Sequence, residues 1–169
     1  MPRLLLGLLV IAVCGTLSGC KMSYSFSGAS IDPSVKTFRV EDFPNRASLV
    51  NPNFSNQLTE SLKDKMIKMG KLRLERDKGD LEFTGQIIGY EVRPVAITGN
   101  EIAAMNRLTV TIKVKFVNNQ NHDNDFDTSF SAYADFPSTE IISSVENTLS
   151  KDIIEKLTDD IFNKSVANW

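Results

Sequence analysis

The chain has 169 residues, 41% hydrophobic, 24% charged and 8% aromatic, a composition that suits one ordinary globular domain. It carries 19 Lys and Arg against 21 Asp and Glu, so there is no cationic excess to neutralise a phosphate backbone, which argues against nucleic-acid binding. One histidine, His122, and two cysteines, Cys14 and Cys20, rule out a multi-histidine metal site or a thiolate zinc cage and leave little material for catalysis.

The first twenty residues read as an address. Arg3 supplies a positive n-region, Leu4 to Val13 an apolar h-region, and Cys14 to Gly19 a small-residue c-region. An apolar core of about ten residues falls well short of the roughly 20 that span a bilayer, so a cleaved signal is expected rather than a transmembrane anchor. Its end, Leu17-Ser18-Gly19-Cys20, resembles the bacterial lipobox, which is cut before a cysteine whose sulfur then carries a diacylglycerol. Cleavage removes Cys14 and Arg3, leaving 18 basic and 21 acidic residues and a net charge of −3. The acylated Cys20 would anchor the protein without spanning the membrane. Lys21 stands where the inner-membrane retention signal of enterobacterial lipoproteins has Asp, which favours the outer membrane.

The expected organisation is residues 1–19 as a removed lipoprotein signal, 20–34 as a lipidated terminus and Ser-rich tether, and 35–169 as one domain. Val35 to Phe43 alternates well enough for a strand, with Phe38 and Val40 near the core. Asn51-Pro52 predicts a helix start, with Asn51 as N-cap, and Phe54, Leu58, Leu62 and Met66 follow at four-residue spacing. Gly70 sits where a C-terminal cap is expected.

Leu72 to Glu75 reads as a short extended piece closed by a turn at Asp77-Lys78-Gly79. Leu81 to Val92 then alternates, with Leu81, Phe83, Gly85 and Ile87 on one face. The clearest strand puts Leu108, Val110, Ile112, Val114 and Phe116 on one face and Thr109, Thr111, Lys113 and Lys115 on the other, the mark of a sheet with one buried side. Phe126, Thr128, Phe130, Ala132 and Ala134 alternate again. A long helix from about Thr139 to Val166 carries the stripe Val145, Leu149, Ile153, Leu157 and Ile161. The order β-α-β-β-β-α predicts an α+β two-layer sandwich, an about four-stranded, mostly antiparallel sheet with two helices on one face. A first strand lying beside the second would be parallel to it.

Little of the sequence carries chemistry. Asp123-Asn124-Asp125-Phe126-Asp127 resembles a calcium loop, yet Thr128 stands where the loop needs Gly and Ala134 where it needs Glu. His122 has no nucleophile pattern beside it, and Gly85, Gly89 and Gly99 form no phosphate loop. No catalytic residue, metal site or cofactor is expected. Two surface features stand out instead. The row Thr109, Thr111, Lys113 and Lys115 is either a solvated face or one that meets an anionic glycolipid or a partner's polar lumen. The long connection Pro94 to Asn106 carries Val95, Ile97, Ile102 and Met105, which either pack beside the sheet edge or contact a partner.

The sequence is similar to the LptE family in its Bacteroidetes-type form. The resemblance rests on Cys20 followed by Tyr24-Ser25-Phe26-Ser27-Gly28, Asn51-Pro52-Asn53-Phe54, Gly79-Asp80-Leu81-Glu82-Phe83, Gly89-Tyr90, Asn106-Arg107-Leu108-Thr109-Val110, and the tail from Asp160 to Asn163 and Val166 to Trp169. It implies a non-catalytic outer-membrane lipoprotein that plugs a large LptD-like β-barrel, assists its assembly and contacts lipopolysaccharide. Of the site residues only Cys20 carries over, as the lipid attachment point. Arg107, Lys113 and Lys115 are chosen from strand alternation as contacts for anionic phosphates or the partner. The competing expectation is a periplasm-facing lipoprotein that binds a small ligand or inhibits an enzyme. A closed apolar pocket between sheet and helices would favour it. A hydrolase assembled only in three dimensions is a third, marked by paired, perturbed carboxylates in a cleft.

Overall fold

A computed structural model describes residues 31–49, 51–95 and 105–167. Five strands form one sheet: β1 (Thr37–Val40), β2 (Arg73–Leu74), β3 (Leu81–Val95), β4 (Met105–Asn118) and β5 (Phe126–Pro137). Helix α1 (Phe54–Lys68) follows β1, and α2 (Ile142–Phe162) follows β5 and runs into one π-type turn at Asn163–Ala167. The strand order is β2-β1-β3-β4-β5. β1 is parallel to both neighbours, and the β3–β4–β5 meander is antiparallel. This is the expected α+β sandwich with one strand more, because the short extended piece at Arg73–Leu74 pairs with β1 and joins the sheet. Among the described residues no helix is long and apolar enough to cross a membrane.

Alternation decides which side of the sheet is buried. Leu108, Val110, Ile112, Val114 and Phe116 of β4 are all fully buried, with Ala132, Ala134 and Phe136 of β5 beside them. Leu58, Leu62 and Met66 of α1 and Ile153, Leu157 and Ile161 of α2 close the core from the helix side. A run of rings links three strands: Phe83 to Phe116 at 5.0 Å, Phe116 to Phe126 at 5.1 Å and Phe126 to Phe130 at 6.1 Å between centroids. Phe83 and Phe116 are fully buried, and each burial contributes roughly 2–3 kcal/mol.

The differences from expectation are local. The first strand stops at Val40 because the chain leaves the ladder and rejoins β3 at an isolated bridge between Asn45 and Ile87. In between, α1 takes over the backbone of Phe43: Ser55 Oγ donates to its carbonyl at 2.6 Å and Thr59 Oγ1 accepts its N–H at 3.4 Å. The Phe43 ring thereby covers Gly85, where a Cβ would lie 2.5 Å from it.

In β3 the alternation changes phase at Ile88. Ile87 faces Ile112 and Gly89 faces Thr111, so Ile88 is the extra residue of a bulge and is 41% exposed. Beyond it Tyr90 and Val92, not the continuation of the Leu81 series, turn to the core side.

Both expected caps shift as well. α1 opens at Phe54 with Asn53 as N-cap, and Asn51 works one turn earlier, its Oδ1 accepting the Asn53 N–H at 3.0 Å. Asn51 is buried, with its amide 3.5 Å from the Tyr90 hydroxyl, and that holds it outside the helix. At the other end the left-handed residue is Lys71 (φ 54°) rather than Gly70. Gly70 is needed for closeness instead, since a Cβ there would sit 2.7 Å from the Met66 carbonyl.

Candidate functional site

The sheet face not covered by helices is built from the outward residues of β3, β4 and β5, and register fixes their neighbours. Arg107 lies between Arg93 and Asp135, Thr109 between Glu91 and Tyr133, and Thr111 between Gly89 and Ser131. Lys113 lies between Gln86 and Ser129, and Lys115 between Thr84 and Asp127. All three cations singled out from the sequence are therefore on one face, in one row.

They are not equivalent. Arg107 forks onto Asp135, with Nε donating to Oδ1 at 2.6 Å and Nη2 to Oδ2 at 2.8 Å. Its guanidinium also stacks 3.7 Å above the Tyr133 ring. The hydrogen bonds from Arg107 hold the Asp135 carboxyl below its usual range, and those same bonds raise the guanidinium above its own. Arg107 is thus committed to a pair within the face. Lys113 is 3.3 Å from Asp127, with both side chains about half exposed, a pair loose enough for an incoming anion to replace. Lys115 has no ion pair among the described residues and points to solvent.

Signs alternate across the surface. Glu82, Glu91, Asp127 and Asp135 balance Arg93, Arg107, Lys113 and Lys115, so the face offers local donors rather than a positive field. Sequence reasoning missed Tyr133, which is 48% exposed and held between Arg107 and Lys156, the latter 5.7 Å from its ring. The signal was present: Tyr133 and Asp135 are the odd-numbered complement of the apolar series in β5. Their importance depends on Arg107 being opposite, which only the strand pairing supplies.

The other candidates are tied up structurally or lie elsewhere. In the loop at His122–Asn124, Asp125 accepts the Asn118 N–H at 2.7 Å and meets His122 Nδ1 at 2.9 Å, while Asn121 accepts the Asp123 N–H. Among the described residues no group of three His, Cys, Asp or Glu is arranged to hold a metal ion.

Asp80 joins three segments. Its carboxylate accepts the N–H groups of Lys36 and Thr37, the Thr37 hydroxyl and the Gln120 amide. The Lys36 N–H is the main reason that its pKa is lowered to about 2. Tyr90 donates to Glu146 at 2.5 Å; burial first, then that bond, pushes its phenol up to about 12. The space between sheet and helices is filled by the core, and an open groove of about 910 Å³ lies outside it, between α1 and α2. Glu60, Asp64, Lys65, Lys151 and Glu155 line that groove. Cys14, Cys20, residues 96–104 of the long connection, and Trp169 lie outside the described residues.

The chain is thus a two-layer α+β domain with a filled core and one broad polar sheet face, and known proteins identify its family. The family model described as LptE, lipopolysaccharide-assembly, matches residues 35–165, and the chain belongs to that family. Two solved structures share the fold. A minor lipoprotein from Acinetobacter baumannii is 14% identical, with 78% of this chain and 92% of that one covered at a TM-score of 0.50. A hypothetical protein from Chlamydia trachomatis is 8% identical, with 79% and 99% covered at a TM-score of 0.53. No curated protein matches the chain in sequence.

Proposed function

We propose that this protein is a non-catalytic outer-membrane lipoprotein, held on the periplasmic side by acyl chains on Cys20. In this reading it pairs with an LptD-like β-barrel as plug and assembly partner while lipopolysaccharide is carried to the cell surface. The observation that carries the reading is the LptE match over residues 35–165. The open β3–β4–β5 face supports it, because a surface with balanced charge suits the polar lumen of a barrel better than the bulk field of a cationic glycolipid carrier would.

Lys115, and Lys113 once it exchanges its exposed pair with Asp127, are the residues that donate to phosphates. Arg107, pinned by Asp135 and stacked on Tyr133, presents a flat and rigid platform beside them. Affinity purification of the chain from detergent-solubilised outer membranes, with co-purifying chains identified by mass, tests this. A large β-barrel in near-stoichiometric amount is the expected result. A chain that purifies alone from membranes in which such a barrel is present would overturn the pairing.

A further inference from the structure

We infer that the corner formed by the C-terminal end of α1 and strand β2 is a second contact surface, which rests on an anionic phospholipid bilayer. Ile67, Met69 and Leu74 are 45%, 63% and 40% exposed and fall within eight consecutive residues. The Leu72 N–H returns to the Met66 carbonyl at 3.3 Å, folding β2 back under the last turn of α1, so that Leu74 and the two flanks of that turn, Ile67 on one and Met69 at the mouth of the α1–α2 groove on the other, share one end of the domain. Leu74 pairs in register with the buried Phe38 and so lies on the helix side of the sheet, at its edge. Three large apolar side chains exposed at one end of the domain mark it as a candidate contact surface.

Charge selects the occupant. Residues 63–78 hold seven cations and three acids, a local +4 in a chain whose total is −2. Lys63, Lys65, Lys68 and Arg73 are each in an ion pair. Lys71, Arg76 and Lys78 are exposed and have none among the described residues. Exposed apolar side chains ringed by unpaired cations match a bilayer interface, where the apolar groups enter the acyl boundary and the cations meet phosphates. A protein partner with an acidic rim would satisfy the cations, but the chain itself points to lipid. Ile31 packs against the Gly70 turn, its Cδ1 3.4 Å from where a Cβ on Gly70 would lie, so the N-terminal segment enters the domain at this corner. The residues between Cys20 and Ile31 reach at most about 40 Å. This last step rests on the anchored reading above; the exposure and charge of the corner do not.

The test uses the full chain, purified from membranes and reconstituted into vesicles. Met69→Cys carries a polarity-sensitive dye, Ser129→Cys on β5 is the control, and nitroxide-labelled lipid is the quencher. Quenching at position 69 well above that at 129 is expected in vesicles with about a third phosphatidylglycerol. Each cation at an anionic surface multiplies contact about fivefold, so replacing Lys71, Arg76 and Lys78 by Gln weakens the contact equilibrium about a hundredfold and removes the excess. Equal quenching at both positions, or an excess that survives both the triple replacement and uncharged lipid, overturns the inference. The anchor is read separately: the unaltered chain taken through the same labelling takes up no dye when Cys20 is acylated.

Discussion

Reversing Lys113 and Lys115 together to Glu tests whether the open sheet face binds or merely caps the core. The structural cost is small. Lys113 loses a 3.3 Å pair with Asp127 in which both partners are about half exposed, an interaction contributing about 0.5 kcal/mol, and reversal adds repulsion of similar size. Lys115 has no ion pair to lose among the described residues. Stability should therefore fall by no more than about 1 kcal/mol, a shift of about 3–5 °C in Tm for a domain of this size. The binding cost is larger. A charged hydrogen bond to phosphate contributes about 1.5–3 kcal/mol, so losing two weakens lipopolysaccharide capture by at least about a hundredfold. Photo-crosslinking to lipopolysaccharide from Ser131, read beside thermal unfolding of the same preparation, measures both. Undiminished crosslinking in a folded double variant would refute the assignment of this face to glycolipid. A collapse in Tm would instead mean that these side chains support the fold.

Three further outcomes follow from single residues. Gly85→Ala forces a methyl against Phe43 and the Lys113 carbonyl, neither free to retreat, and should cost about 3 kcal/mol in chemical denaturation, against no change if the ring can tilt away. Asp80 titrates near 2 rather than 3.8 when folded, so its contribution is complete above pH 4 and lost as pH falls toward 2. Full shielding would make it about 2.4 kcal/mol, partial exposure reduces it to about 1, and Asp80→Asn should flatten that part of the stability–pH curve. Cys20→Ala should move the protein from the membrane to the soluble fraction; unchanged detergent-dependent fractionation would remove the anchored reading.

What could be read from the sequence follows from where the information lies. β4 was legible because its two faces differ in chemistry at every step, Leu108 to Phe116 against Thr109 to Lys115, and burial obeys that difference without exception. The bulge at Ile88 was not legible, because Ile87 and Ile88 are interchangeable by composition and only the partner strand decides which is extra. The caps failed for a related reason. Asn51 and Gly70 have the right identities for cap positions, but tertiary contacts with Tyr90 and with the Met66 carbonyl give them other work. At the candidate site, alternation put Arg107, Lys113 and Lys115 on one face. Whether each is free depends on Asp135 and Asp127, which are supplied across the ladder by β5.

The two surfaces have a fixed relation, and that relation constrains how the protein can work. β2 and β5 are the opposite edges of the sheet, four strand spacings apart, or about 19 Å, and β4 with its lysine row is about 14 Å from β2. With the Ile67–Leu74 corner against lipid and the sheet edge-on to the bilayer, the strand carrying Lys113 and Lys115 stands off by more than a Debye length at physiological salt. They are then unavailable to the phosphates of the surface on which the protein rests. Anions reaching that row must be presented by something that projects from the membrane, such as a barrel wall or a glycolipid already lifted from its leaflet. If both proposals hold, the corner and the face meet different anions, and disabling one should leave the other's binding intact.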